Sequence, residues 1–255
     1  MIEIRELTKK YGKFTAVDNL TLSIPAGEIF GFIGPNGAGK TTTISMIAGL
    51  LAPTSGSVVV CGIDMLKSPK QAKQNIGYIP DRPYIYEKLT AMEFLKFTAD
   101  LFSMTSSMTK DEFRQKAQAQ LKKFSLLDWA DELIESFSHG MKQRLIMSAA
   151  LIHNPMVLVV DEPMVGLDPL AIKMVKQMLI DLANNGTTIF MSTHTLKIAE
   201  DLCHRIGVIH KGKLIASGTV EELKLQAQLK NHITSTKEST DNIDLEQLFM
   251  VLTES

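Results

Sequence analysis

The sequence predicts an α/β fold in which a mostly parallel sheet carries helices on both faces and a helical arm is inserted into it. Two observations carry that prediction. The second half of the chain alternates apolar, β-branched runs (Met156 to Val160, Thr187 to Ser192, Arg205 to Ile209) with helical stretches (Pro169 to Ala183, Thr195 to Leu202). Strands buried on both faces read as such continuous runs, and the intervening helices return the chain for parallel pairing. Before them, from Thr90 to about His153, apolar residues recur at helical spacing in Ala91 to Leu101, Lys110 to Phe124 and Met141 to His153.

The remaining elements follow from turn signals. The first third holds short β-rich runs, Ile2 to Leu7, Leu20 to Ile24, Glu28 to Ile33 and Ser57 to Val60. They are broken by Tyr11-Gly12, Pro25-Ala26-Gly27 and Pro53-Thr54-Ser55-Gly56, and form a first sheet region. Pro169 after Asp168 is a helix-start signal. Leu229 to Leu245 is polar and rich in Ser, Thr and Asn, which reads as a linker ahead of a short apolar tail, Leu245 to Leu252. The expected organisation is one main domain over residues 1–230, with the arm at about 88–153 inserted in it. Residues 231–255 form a linker and a short C-terminal helical tail.

With 255 residues, 45% of them hydrophobic, the chain can bury a full core. Its 27 basic and 28 acidic residues nearly cancel, so no broad field would hold it on nucleic acid, and no nucleic-acid partner is expected. The start, Met1-Ile2-Glu3-Ile4-Arg5-Glu6, lacks the apolar stretch of a secretory signal. The longest apolar runs fall far short of the ~20 residues that span a bilayer, so the chain is expected to be soluble on its own. Cys61 and Cys203, far apart and without His or Cys at metal-ligand spacing, suit a reducing cytosol.

The chemistry is concentrated in Gly34-Pro35-Asn36-Gly37-Ala38-Gly39-Lys40-Thr41. Gly, four residues, then Gly-Lys-Thr is the pattern of a loop whose backbone N–H groups cradle an oligophosphate. Lys40 would reach the outer phosphates, the Thr41 hydroxyl would ligate Mg²⁺, Thr42 could add a phosphate contact, and the following helix presents its positive end. The loop sits between a strand-like segment, Glu28 to Ile33, and a helix-like one, Thr42 to Leu50, as that mechanism requires. ATP is the expected ligand. Hydrolysis needs a second element, and Val157-Leu158-Val159-Val160-Asp161-Glu162 supplies one: a buried strand ending in two carboxylates at a sheet edge. Asp161 would hold Mg²⁺ and Glu162 would polarise the attacking water.

In motif order, and over nearly its whole length, the chain resembles an ATP-binding cassette (ABC) transporter ATPase. Phe137-Ser138-His139-Gly140-Met141-Lys142-Gln143-Arg144 is similar to the family signature, usually Leu-Ser-Gly-Gly-Gln followed by a basic stretch. His139 stands in place of the usual first Gly, and Met141 in place of Gln. Met164-Val165-Gly166-Leu167-Asp168 resembles the loop that crosses the family's dimer interface, with Asp168 its most recognisable member. His194 resembles the switch histidine that contacts the γ-phosphate and orients water. Tyr11 lies where the family stacks an aromatic on adenine. In Ile79-Pro80-Asp81-Arg82-Pro83-Tyr84, Asp81 replaces the usual Gln and keeps an oxygen for Mg²⁺ or the lytic water.

The resemblance implies a phosphate-loop NTPase core with a mostly parallel sheet, an N-terminal antiparallel β subdomain and a helical arm subdomain. It implies a head-to-tail dimer, probing ATP with Ser138, His139, Gly140 and Met141 of a second ABC ATPase subunit. It further implies an integral membrane permease as partner and a cytoplasmic place on the inner face of the membrane through that permease. Asp81, the Ser-His-Gly-Met-Lys-Gln-Arg run and the tail Asp244-Leu245-Glu246-Gln247-Leu248-Phe249 look like the bacterial subfamily that serves type-two exporters. Two other classes compete. A soluble cassette protein acting on ribosomes or DNA would need two cassettes or long coiled-coil insertions, and a phosphate-loop kinase would leave Ser138 to Arg144 unexplained.

Overall fold

The computed structural model describes residues 1–81 and 84–232. Two sheets form its frame. Strands β1 (Ile2–Tyr11), β2 (Phe14–Ile24), β4 (Ser55–Val60) and β5 (Ile63–Asp64) make an antiparallel sheet in the order β2-β1-β4-β5. Strands β3 (Ile29–Ile33), β6 (Ile76–Ile79), β7 (Val157–Asp161), β8 (Thr188–Thr193), β9 (Arg205–His210) and β10 (Lys213–Gly218) make the second, ordered β10-β9-β3-β8-β7-β6. All its pairings are parallel except β9 with β10.

Helices α1 (Lys40–Ile47) and α2 (Pro69–Gln74) precede β6 in the chain. The arm follows as α3 (Ala91–Leu101), α4 (Lys110–Lys123) and α5 (His139–Leu151), and after β7 come α6 (Pro169–Asn184), α7 (Leu196–Leu202) and α8 (Val220–His232). The expected β-α-β alternation and the inserted arm are both present. Helix α8 runs into the start of the stretch whose composition reads as linker; the rest of that stretch and the tail lie outside the described residues.

The central strands β3, β8 and β7 are buried on both faces, and their residues divide between two cores by strict alternation. Phe30, Phe32, Val157, Val159 and Phe190 face α1 and the antiparallel sheet, packing with Ile44, Ile47, Ile2, Ile4 and Val58. Ile29, Ile33, Leu158, Val160, Ile189 and Met191 face the arm, α6 and α7, packing with Leu145, Val175, Leu179 and Leu202. This is the period-2 pattern of a strand doubled, with apolar residues at both phases. Phe190 stands at the centre of the first core, its ring 5.8 Å from Phe30 and 5.2 Å from Phe32.

Several boundaries differ from the sequence reading for local reasons. β1 and β2 are longer than expected because register shifts between Ile4 and Lys10 interrupt the alternation, with Glu6 (φ 49) and Asn19 (φ 52) in the left-handed region. α5 starts at His139 rather than Met141 because the Ser138 hydroxyl accepts a hydrogen bond from Met141 N at 3.3 Å and caps it. α3 and α4 each begin with a reciprocal capping box, Thr90 with Glu93 and Thr109 with Glu112. Strands β6 and β10, which carry too little periodic signal in four and six residues, have no counterpart in the sequence reading.

A polar contact between the arm and the core is made by His153, just beyond α5. Its ring stacks on Phe102 at 3.6 Å, and Nε2–H donates to the Ile76 carbonyl at the start of β6 at 3.1 Å. Burial pushes its pKa down from 6.5 to about 4. The unfolded chain therefore takes up a proton near pH 6.5 that the folded chain refuses until about pH 4, so this group makes stability fall as pH drops through that window. Urea unfolding at pH 7.5 and pH 5 should show a smaller loss on acidification for His153→Gln than for the wild type; equal losses would exclude His153 as a source. Phe190→Ala should cost about 3–5 kcal/mol in the same measurement, because the cavity opens at the centre of a close-packed core beside Phe30 and Phe32.

Candidate functional site

The fully buried strand β3 delivers the chain to the carboxyl edge of the sheet, where it turns through Gly34 to Gly39 into α1. Close backbone contacts dictate the glycines. A Cβ on Gly34 would lie 2.4 Å from the Ile209 carbonyl oxygen, and one on Gly39, which has φ 111, would lie 2.5 Å from that of Ala16. Hydrogen bonds close the arrangement: Gly212 N donates to Ala38 O at 2.9 Å, and Asp18 N donates to Gly212 O at 2.8 Å. The loop is thus wedged between β2 and the β9–β10 turn. α1 opens with no side-chain cap and no acid in its first turn, so its leading N–H groups are left for an anion.

Lys40 is buried, and its Nζ donates to Gly34 O at 2.7 Å and Pro35 O at 3.2 Å. Burial lowers its pKa, while the nearby carboxylates of Glu162 and Asp161 oppose that shift. The ammonium therefore lies in the field of both acids. Thr41 is exposed, Thr42 half-buried, and the neighbouring Thr43, with no part in the sequence reading, is buried with its hydroxyl donating to Gly39 O at 2.9 Å.

The acids come from the next strands along the same edge. β7 ends at Asp161, buried, whose Oδ1 accepts a hydrogen bond from the Ser192 hydroxyl, its register partner on β8. Glu162 follows at φ 52, a left-handed conformation that costs a non-glycine residue about 1–3 kcal/mol. Its backbone N donates to Ser192 O at 3.2 Å, and its Oε1 lies 2.9 Å from His194 Nδ1. The Glu162 side chain is 14% exposed, whereas His194 is 60% exposed. Because the strand order is β3-β8-β7-β6, the phosphate loop, His194, Glu162 and Asp81 leave successive strands at one edge. Asp81 is exposed, and with Asp161 it adds to the burial that raises the pKa of Tyr78.

The other sequence-predicted residues lie on separate elements. Tyr11 is exposed at the tip of the β1–β2 hairpin, paired with Phe14 and with Lys9 Nζ 5.3 Å from its ring; Ala16, which touches Gly39, follows shortly on β2. Ser138, His139, Gly140 and Met141 form the start of α5, on the arm. Asp168 caps α6, its Oδ1 accepting from Ala171 N at 2.8 Å. Three contacts carry no sequence signal: Ser192 to Asp161, Lys142 Nζ to Glu87 at 2.5 Å, and the His139 ring against Gly166. Each joins residues that only the fold brings together.

Gly34→Ala should lose binding of a fluorescent ATP analogue at least tenfold and destabilise the fold by about 1–3 kcal/mol, because backbone rather than a movable side chain opposes the new methyl. Unchanged binding by fluorescence titration would show that the loop can shift to accept it.

Against known proteins, the ABC transporter family profile matches residues 17–165. The probable multidrug ABC transporter ATP-binding protein YbhF of Escherichia coli (strain K12) is 38% identical over 227 residues, which are 89% of this chain and 38% of that protein. The linearmycin resistance ATP-binding protein LnrL of Bacillus subtilis (strain 168) is 40% identical over 223 residues, 88% of this chain and 70% of LnrL. The bacitracin transport ATP-binding protein BcrA of Bacillus licheniformis is 40% identical over 225 residues, 88% of this chain and 71% of BcrA. The chain thus spans well under half the length of YbhF. Among solved structures, an ATP-binding subunit of an ABC transporter superposes with a TM-score of 0.87 at 30% identity, covering 99% of both chains. The cassette MJ0796, solved as a dimer in a post-hydrolysis state bound to ADP and Pi, gives a TM-score of 0.79 at 27% identity over 86% of this chain and 99% of that one. With the profile spanning more than half of its residues and with relatives matched over most of its length, the chain belongs to the ABC transporter family, as an ATP-binding cassette.

Proposed function

We propose that this chain is the ATP-hydrolysing subunit of an exporter, working as a dimer of cassettes that drives a separate membrane permease. The observation that carries the reading is the pairing of Glu162 with His194 at 2.9 Å, on the strands beside a phosphate loop whose lysine lies in the field of Glu162 and Asp161. Glu162 takes the proton of the attacking water, and His194, exposed and hydrogen-bonded to that base, orients the water against the γ-phosphate. Lys40, the loop amides of Gly34 to Gly39 and Thr42 stabilise charge that develops on the phosphates. Tyr11 stacks on the adenine.

The donor set fits magnesium carried with the nucleotide. Asp161 offers a carboxylate oxygen beyond the one held by Ser192, Thr41 an exposed hydroxyl and Asp81 an exposed carboxylate. Among the described residues no cluster of three or more His, Cys, Asp or Glu could hold a metal, which suits an ion bound largely by phosphates and water. When bound, Mg²⁺ would neutralise charge shared between the outer phosphates.

The start of α5, formed by Ser138, His139, Gly140 and Met141, meets the ATP of a second copy through its backbone, with Asp168 on the loop between the subunits. A helix end capped by Ser138 with Gly140 beside it offers backbone N–H groups to that phosphate. The dimeric state of MJ0796 and the resistance and transport named for LnrL and BcrA support the assembly and the direction. The cassette sits on the inner face of the membrane through its permease, and among the described residues no helix is long and apolar enough to cross a membrane.

Glu162→Gln tests the reading. Steady-state phosphate release should fall at least a hundredfold while ATP still binds, and size-exclusion chromatography with Mg·ATP should show a trapped dimer. Turnover near the wild-type rate would remove Glu162 as the base.

A further inference from the structure

His139 is the first departure of this chain from the family's signature, and its side chain bears on the loop that leaves Glu162. Gly166 has φ 76, and a Cβ built on it would lie 2.6 Å from His139 Nε2 and 2.7 Å from His139 Cδ2. The left-handed backbone favours glycine at this position, and the exposed His139 ring lies beside it. The loop itself is short and internally tied. Val165 N donates to Glu162 O at 3.3 Å, Leu167 N donates to Met164 O at 3.4 Å, and Asp168 then caps α6. Gly166 is the midpoint of this pair of turns.

On the other side of the contact, His139 is fixed to the arm. It opens α5, whose first turn is held by Ser138 and whose next residues are anchored by Lys142 to Glu87 and by Arg144 Nη1 donating to Phe124 O at 3.0 Å. The start of α5 is therefore tied to the end of α4 through Phe124 and to the segment before α3 through Glu87. The ring of His139, itself exposed, lies against the loop at Gly166.

We propose that His139 is a positioning residue that carries arm movement to the base within one chain. Capture of a phosphate at the Ser138 end of α5 shifts the arm; the imidazole transmits the shift to Gly166, and the two turns transmit it to Glu162. The inference rests on the base role proposed for Glu162. It assigns the effect to the bulk of the ring rather than to a hydrogen bond with nucleotide, so an apolar side chain of similar size should replace it.

The test is steady-state kinetics of the full chain with Mg·ATP, with thermal melts to confirm folding. His139→Ala should lower kcat about tenfold or more while KM for ATP changes less than about twofold, and His139→Leu should recover most of kcat. In the Glu162→Gln background, His139→Ala should still give the ATP-trapped dimer. Wild-type kcat in His139→Ala, a rise in KM without a change in kcat, or rescue by His139→Gln where His139→Leu fails would each overturn the inference. If Glu162→Gln itself turned over, the base assignment would fall and the inference with it; if Glu162→Gln is inactive and His139→Ala is fully active, the inference alone falls.

Discussion

β3, β8 and β7 lie side by side with both faces covered, and their parallel register decides where every polar group of the site is placed. Ile33 pairs with Thr193, and Asp161 pairs with Ser192. A slip of one residue in any of these strands would exchange the Phe30, Phe32 and Phe190 core for the Ile189, Met191 and Leu158 core, and neither space would fit the other's side chains. The three strands therefore end at fixed heights. The phosphate loop, His194 and Glu162 emerge next to one another as a result of that apolar fit.

At the edge the chain accepts local costs that the buried sheet offsets. Glu162 sits in a left-handed conformation, Lys40 is desolvated, and Gly34 and Gly39 allow backbone to approach backbone where no side chain fits. These features share one origin. A loop that points its N–H groups at an anion has to curl tightly, and a lysine held inside it has to give up water. The two carboxylates that compensate Lys40 are also the groups proposed to act on water and metal. On that proposal, charge compensation in the resting protein and the chemistry draw on the same residues.

The arm packs into the second core through α5 and is tied by polar contacts near both ends of β6. Lys142 to Glu87 fixes the start of α5 to the segment that follows β6, while His153 stacks on Phe102 and bonds to the strand's first residue. The His139 ring lies against Gly166, on the loop that follows Glu162.

What the sequence determined by itself is local. Gly34 to Thr41 announces a phosphate loop because its function lies in consecutive backbone groups, and the arm helices and β-α-β alternation are legible because periodicity is a property of neighbours. Asp161 and Glu162 were legible as a strand ending in acids. The tertiary structure decided the rest: that Glu162 meets His194, that Ser192 holds Asp161, and that His139 rests on Gly166. It also supplied β6 and β10, whose short runs become strands only beside β7 and β9. The physical reason is the same in each case. Ladder hydrogen bonds and side-chain contacts between residues far apart in the chain depend on which strands become neighbours, and that choice is made by the fit of the two cores.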